Sequence, residues 1–410
     1  MKMKIKDIFA REILDSRGNP TIETDLELEN GLKVSSSVPS GASTGENEAL
    51  ELRDNDKKRY HGKGVLIAVN NVNTIIRERL IGFELNQSEI DTILNELDGT
   101  NNKSKLGANA ILSVSMCVLK ALAKVNNKDV YEYIGENYNL PVPMMNIING
   151  GAHANSGLEI QEFMIVPMLK TFKENLRCGS EIFHNLKIML EKDDFSTSVG
   201  DEGGFAPKLS SNEEALNYII KAIKLSNYNP GADVLIALDC AASEFYDGNK
   251  YTIDKKKISK EELIKYYEKL VKNYPIISIE DAFAENDIKS MQKLTKSIGN
   301  KIMLVGDDFF VTNIKYLNDG IIKKYNNSIL LKPNQIGTIT EMLETIKLAK
   351  DNNFKTIISH RSGETEDTLI AHLAVGLNLG YIKTGSLSRG ERICKYNELL
   401  RIEEKIEKNN

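Results

Sequence analysis

The chain contains no tryptophan, nine prolines and four cysteines in 410 residues. The cysteines, Cys117, Cys178, Cys240 and Cys394, stand far apart with no CxxC pair. That spacing gives no basis for a disulfide framework or a thiolate zinc site, and it points to a reducing, cytoplasmic setting. Charge of one sign is also missing: 53 Lys and Arg stand against 58 Asp and Glu, a net charge of −5. Such a balance offers no electrostatic reason for a nucleic-acid or anionic-membrane partner, and small metabolites fit better. No uncharged apolar run approaches the ~18 residues of a membrane span, and the charged start, Met1 to Ile8, does not read as a signal peptide. The most apolar helix candidate, Leu106 to Ala123, is broken by Ser113, Ser115 and Lys120, and its small residues suit close packing in a core. The missing tryptophan and the abundance of Asn, Lys and Ile are a compositional bias from which nothing functional follows.

What is present exceeds the length at which one core stops growing, so two domains are expected, one of them a barrel of about 250 residues. From Ile5 to Val38, Ile22, Thr24, Leu26 and Leu28 alternate with charged neighbours, the pattern of an antiparallel meander with one wet face. Pro39 ends it. Ser40-Gly-Ala-Ser-Thr-Gly45 follows, either a plain linker or a mobile lid, and then a predicted helix from Glu46 to Leu52. Helical periodicity runs from about residue 65 to 125, which makes the first part an α+β domain. The polar stretches Asn126–Lys128 and Asn139–Pro143 bracket a boundary near residue 138, dividing the chain into 1–138 and 139–410.

Beyond it, eight short apolar runs alternate with helical stretches: Met144–Ile148, Phe163–Pro167, Val234–Leu238, Ile276–Ile279, Met303–Val305, Ile329–Leu331, Thr356–Ile358 and Tyr381–Ile382. Eight strands alternating with helices predict a (β/α) barrel. The first two are joined by too short a connection for a parallel crossover, so the barrel opens with an antiparallel pair.

A barrel brings the C-terminal ends of its parallel strands to one mouth. Run three ends at Asp239, run four at Glu280-Asp281 and run five at Asp307-Asp308. Run six ends at Lys332, run seven at His360-Arg361-Ser362 and run eight at Lys383. Each acid alone could be a helix cap and each lysine merely solvated. Three carboxylates at one mouth, however, call for a hard cation, Mg²⁺ before Ca²⁺ or Zn²⁺. The cationic half suits an anionic substrate, with Arg361 able to clasp a phosphate or carboxylate by a two-pronged fork. Near such a metal and a second lysine, Lys332 loses preference for its proton and can act as a base, which makes proton abstraction beside a carboxylate the leading chemistry. Glu202, in the glycine-flanked loop Gly200-Asp-Glu-Gly-Gly-Phe205, is either the matching acid or an exposed turn.

These residues, together with Asp15-Ser-Arg-Gly-Asn-Pro-Thr21, Leu106-Gly-Ala-Asn-Ala-Ile-Leu112, Asn149-Gly-Gly-Ala-His153, Gln161-Glu-Phe-Met164 and Ser359-His-Arg-Ser-Gly-Glu364, resemble the enolase family of glycolytic 2-phosphoglycerate dehydratases. The resemblance runs in order from residue 15 to about 404. It implies an α+β cap on a modified (β/α)8 barrel, and a hydro-lyase that interconverts 2-phosphoglycerate and phosphoenolpyruvate with two Mg²⁺ per site. By motif position Asp239, Glu280 and Asp307 would hold the first Mg²⁺, and Ser43 in the lid would help bind a second that arrives with substrate. Lys332 would remove the C2 proton and Glu202, supported by Glu162, would protonate the leaving C3 hydroxyl. His153, Gln161, Glu162, Arg361, Ser362 and Lys383 match substrate-contacting positions, and His360 matches a catalytic-site histidine. The family is generally dimeric or built from dimers. Pro333 departs from the family's usual aliphatic residue; it would bias Lys332 towards an extended backbone. His372, where the family often has aspartate, reads as a helix-face residue. Two rivals remain: a hydrolase nucleophile elbow in Gly41-Ala-Ser-Thr-Gly45, which would need a strand running directly into the glycine, and an acid-sugar dehydratase or non-catalytic, surface-binding relative with the same fold.

Overall fold

The structure, a computed structural model, describes residues 3–42, 45–154 and 156–409. The first unit is a meander in the order β1 (Ile5–Leu14), β2 (Pro20–Leu28), β3 (Lys33–Ser37), antiparallel throughout. Along β2, Ile22, Thr24, Leu26 and Leu28 are buried, as the alternation predicts. That buried face packs on the helix Ala108–Val125, where Thr24 Oγ1 meets Ser113 Oγ at 2.7 Å. This helix is long and apolar enough to cross a membrane, yet all of it except Lys120, Leu122, Lys124 and Val125 is buried within the protein. It is a core helix.

The predicted helix over Glu46–Leu52 does not form. Its backbone is spent on tertiary partners instead: Ala49 N–H donates to the Gln335 carbonyl and Leu50 N–H to that of Asn102, while the Leu50 carbonyl accepts from Ala108 N–H. Local propensity loses there to docking against the second unit.

All eight predicted runs are strands of one closed barrel: β4 (Val142–Asn149), β5 (Glu162–Pro167), β6 (Val234–Asp239), β9 (Ile276–Glu280), β10 (Met303–Gly306), β11 (Ser328–Leu331), β12 (Lys355–Ser359) and β13 (Tyr381–Lys383). The hairpin β7 (Tyr251–Ile253) and β8 (Lys256–Ile258) lies outside it. Met144, Met164, Val166, Ala237, Met303, Val305, Leu330 and Ile357 fill the barrel's interior as a cluster of their own. Strand β5 runs antiparallel to both neighbours, and the other barrel pairings are parallel. The reversal explains the long gap after β5. That strand ends at the far side, so the helix Phe172–Lys192 climbs back towards the mouth, the loop 193–211 turns there, and the helix Asn212–Leu225 descends to feed β6. Glu202 sits in that loop.

Candidate active site

One cavity is lined by Lys332, Glu202, Asp239, Asp307, Arg361 and Lys383, and His153, Gln161, Glu162, His360 and Ser362 also face it. The strand-end placement read from the sequence therefore brings these side chains together. Ser43 lies outside the described residues.

Lys332 follows β11 in an extended conformation, φ −130° and ψ 109°, and caps the one-turn helix Pro333–Ile336. Pro333 takes the first helical position, where the missing N–H has no partner to lose. Thr312 Oγ1 accepts from Lys332 N–H at 2.8 Å and donates to Gln335 Oε1 at 2.7 Å. Gln335 Nε2 in turn donates to Asp307 Oδ1 at 2.7 Å, and Lys332 Nζ reaches Asp307 Oδ2 at 2.5 Å. Burial is the largest single influence on Lys332 and lowers its pKa, but the acidic neighbours together, Asp307 foremost and Glu280 with it, leave it raised. Paired this way Lys332 keeps its proton, and the pairing is loosened only if the Asp307 carboxylate is engaged elsewhere.

Lys383 is 2% exposed and neutralises the acidic half. Its Nζ donates to Asp239 Oδ2 at 2.8 Å and to both Glu280 oxygens at 2.9 Å, with Glu162 Oε1 at 3.2 Å. Burial alone would lower its pKa; Asp239, Glu162 and Glu280 together hold it well above the usual value. Glu280 itself is pushed well up, first by burial and then by Asp239.

The expected ligand trio is thus spread over two ammonium groups. Among the described residues, the acidic sets whose ligand atoms converge within 4.8 Å are Asp281, Asp307 and Asp308, and His153, Glu162 and Glu202. Asp281 is already committed, since its two oxygens accept the backbone N–H groups of Asp307 and Asp308, both at 2.9 Å. It shapes the loop that presents Asp307. Asp239, Glu280 and Asp307 have no such backbone duty apart from one Asp239 bond to Ala241 N–H, and as an all-oxygen set they suit Mg²⁺. The turns behind the three acids hold non-glycine residues with positive φ: Ala241 at 43°, Asp281 at 41°, and Val311 and Thr312 at 41° and 56°. Conformations of this kind cost about 1–3 kcal/mol each and cluster at functional sites.

On the other side, Glu202 accepts from Asn146 Nδ2 at 3.0 Å, with His360 Nε2 at 3.2 Å and His153 Nδ1 at 3.5 Å from its other oxygen. Its loop needs glycine: Gly203 has φ +88° and a Cβ there would lie 2.6 Å from the Ser388 carbonyl oxygen. Burial drives Glu162 well above the usual carboxyl range, with the Glu202 charge adding to it. Burial likewise works to raise Glu202, but its neighbours His360 and His153, with the charge of Arg392, hold it well below. Burial also holds His360 down to about 4. Burial thus keeps this ring neutral, and it acts on Glu202 as a neighbouring dipole rather than a charge. Of these two neighbouring carboxyls Glu162 is the one raised and Glu202 the one lowered, so a proton shared between them favours Glu162.

Arg361 is clasped by Glu48, Nη1 to Oε2 at 2.9 Å and Nη2 to Oε1 at 3.1 Å, and also donates to Asn334 Oδ1 at 3.0 Å. Ser362 Oγ accepts the Ala42 N–H at 2.7 Å, so the chain at Ala42 docks on it. Sequence reasoning missed Glu48, Asn146 and Arg392. His372 meets Glu398 at 3.2 Å on the helix Leu369–Gly376, the helix-face position expected for it. The elbow reading fails on context: Val38 to Ser40 separate β3 from Gly41, and no helix follows Gly45.

Two family models match the chain. One described as the enolase N-terminal domain covers residues 5–134, and one described as the enolase C-terminal TIM barrel domain covers residues 137–410.

Proposed function

That this chain belongs to the enolase family is the premise from which we propose its reaction, the reversible dehydration of 2-phospho-D-glycerate to phosphoenolpyruvate in the cytoplasm. Membership by itself makes the chain a lyase of the enolase superfamily, and domains of this family generally bind Mg²⁺. The observation that carries the finer reading is one cavity lined by the lysine Lys332, the glutamate pair Glu162 and Glu202, and the anion-binding candidates Arg361 and Ser362.

Asp239, Glu280 and Asp307 would hold Mg²⁺, and Ser43 would contribute to a second site in the lid. When bound, Mg²⁺ supplies the fixed positive charge that a carboxylate needs before the carbon beside it releases a proton. Lys332, as the neutral amine, takes the proton from C2. Glu202, relayed the proton held by its partner Glu162, gives it to the C3 hydroxyl, which leaves as water. The C2–H and C3–O bonds break, a C2–C3 double bond forms, and no oxidant is involved. Arg361 clasps the phosphate. Closing the lid on Ser362 keeps water from the developing charge.

Adding 2-phosphoglycerate and Mg²⁺ to the protein should produce the ultraviolet absorbance of the enol-phosphate double bond. Folded, Mg²⁺-binding protein that shows no such rise would rule this reaction out and leave a binding role. Arg361→Lys should raise KM by roughly 10–100-fold, the cost of replacing a two-pronged, charge-assisted clasp by a point charge. A smaller effect on KM than on kcat would place Arg361 away from the phosphate.

A further inference from the structure

The helix Gly390–Asn409 carries two fully buried cations, Arg392 and Lys395, three residues apart on one face. Lys395 has a counter-charge: its Nζ meets Glu364 Oε2 at 2.7 Å, with the carbonyls of Thr365 and Glu391 at 2.6 and 2.7 Å. Arg392 is placed differently. The nearest carboxylate, Glu391, comes only to 3.4 Å of its Nε. Its Nη1 donates to His360 Nδ1 and to the Arg361 carbonyl, both at 2.6 Å. Its Nη2 donates to the carbonyls of Ser362 at 2.6 Å and Asp201 at 3.0 Å. One guanidinium thus joins the loop that carries Glu202 to the loop that carries Arg361 and Ser362.

A guanidinium can only donate. The Nδ1 of His360 is therefore an acceptor and carries no proton, so the proton of the neutral ring sits on Nε2, 3.2 Å from Glu202 Oε1 but not in hydrogen-bond alignment with it. A second proton on the ring would set N–H against N–H. We propose that Arg392 is a positioning residue for the acid half of the site: it fixes His360 as the neutral Nε2–H tautomer, with that N–H on the Glu202 side of the ring, and pins the Asp201 carbonyl beside it. His360 then stays a neutral neighbour of Glu202 and neither takes nor releases a proton during turnover, which changes the catalytic role expected for it from the sequence. The proposal rests on the reading in which Glu202 is the acid. The charged and titratable groups around the ring are Glu202 and Arg392 in contact, Arg361 next in the chain, Glu364 further off, and His153 beyond Glu202. Burial is the largest influence and acts in the same direction as Arg392, keeping the ring neutral.

Nitrogen-15 NMR of histidine-labelled protein tests this without substrate, the His360 signals being assigned by their loss in His360→Gln. The wild type should show a neutral Nε2–H ring that does not titrate between about pH 5 and 8. In Arg392→Met the tautomer should be lost or the ring should titrate in that window, and kcat should fall about 10–100-fold with KM little changed. In Arg392→Lys, which keeps a donor, the tautomer should be at least partly restored. If Arg392→Met does not fold, the wild-type and lysine spectra still decide. A wild-type ring that is charged near neutral pH, or protonated at Nδ1, overturns the proposal, as does an unchanged tautomer in Arg392→Met. Correct tautomers in a protein that fails to dehydrate 2-phosphoglycerate would sink the reaction and leave the role of Arg392 standing.

Discussion

Lys332→Ala should lower turnover by about 10²–10⁴-fold, the usual contribution of a positioned general base, and abolish exchange of the C2 proton with solvent while substrate still binds. The size follows from how few other groups can do its work. Among the side chains lining the cavity, the other lysine, Lys383, is bonded to Asp239 and Glu280 and sits on the glutamate side of the site. Arg361 cannot give up a proton near neutral pH. The backbone that aims Lys332 is held from three directions, by Thr312, by Gln335 and by the turn beginning at Pro333. Proline at this position therefore leaves the lysine's direction intact. The check is proton NMR in deuterated water: continued loss of the C2 proton signal in Lys332→Ala would remove this residue as the base.

Lys383→Met should be the most destabilising single change near the mouth, by about 3–5 kcal/mol in chelator-treated protein, because it strips the shared counter-charge from buried carboxylates. Asp239, Glu280 and Glu162 are 4%, 1% and 1% exposed and would be left facing one another. Two dependences separate this cause from simple loss of packing. Added Mg²⁺ should return much of the stability, since a divalent ion among the same oxygens replaces the missing charge. Acid should also help. Glu162 and Glu280 have pKa values raised above their unfolded values, so the native state binds more protons than the unfolded one, and stability rises as pH falls from the raised folded value towards the ordinary carboxyl range. Thermal unfolding with and without Mg²⁺ across that range gives the answer. A variant as stable as its parent without metal would show that Lys383 is not the internal counter-ion described here.

The barrel was legible in the sequence because its strands are short apolar runs, the last six of them closed by a charged residue, and these six recur at helix-plus-strand spacing. The acids and lysines at the mouth were legible for the same reason: strand ends are marked, and topology then gathers them. What escaped was whatever depends on contacts distant in the chain. Glu46 to Leu52 has helical composition, but Glu48 and Glu51 are drawn to Arg361 and Arg53, and the backbone follows them. Lys332 was expected to be readily deprotonated, and its pairing with Asp307 holds the proton in place. Arg392 did leave a trace. Along the last helix, positions 392, 395, 396, 399 and 402 form one stripe, and Tyr396, Leu399 and Ile402 make it apolar and buried. Two cations within an apolar stripe signal buried charge, and buried charge asks for a partner.

The reversed direction of β5 bears on how this protein can vary. In a barrel of uniformly parallel strands every mouth loop leads straight out of a strand, and changing its length risks disturbing the register behind it. Here the loop carrying Glu202 is hung between two helices, Phe172–Lys192 and Asn212–Leu225, neither of which belongs to the hydrogen-bonded wall. Insertions or deletions in 193–199 or 206–211 can be absorbed by those helices while the eight strands keep their alignment. Glu202 is thus carried by a loop tied to the wall through Phe205, which pairs with β4, and free to vary on either side of that tie, whereas Lys332 follows directly from a wall strand.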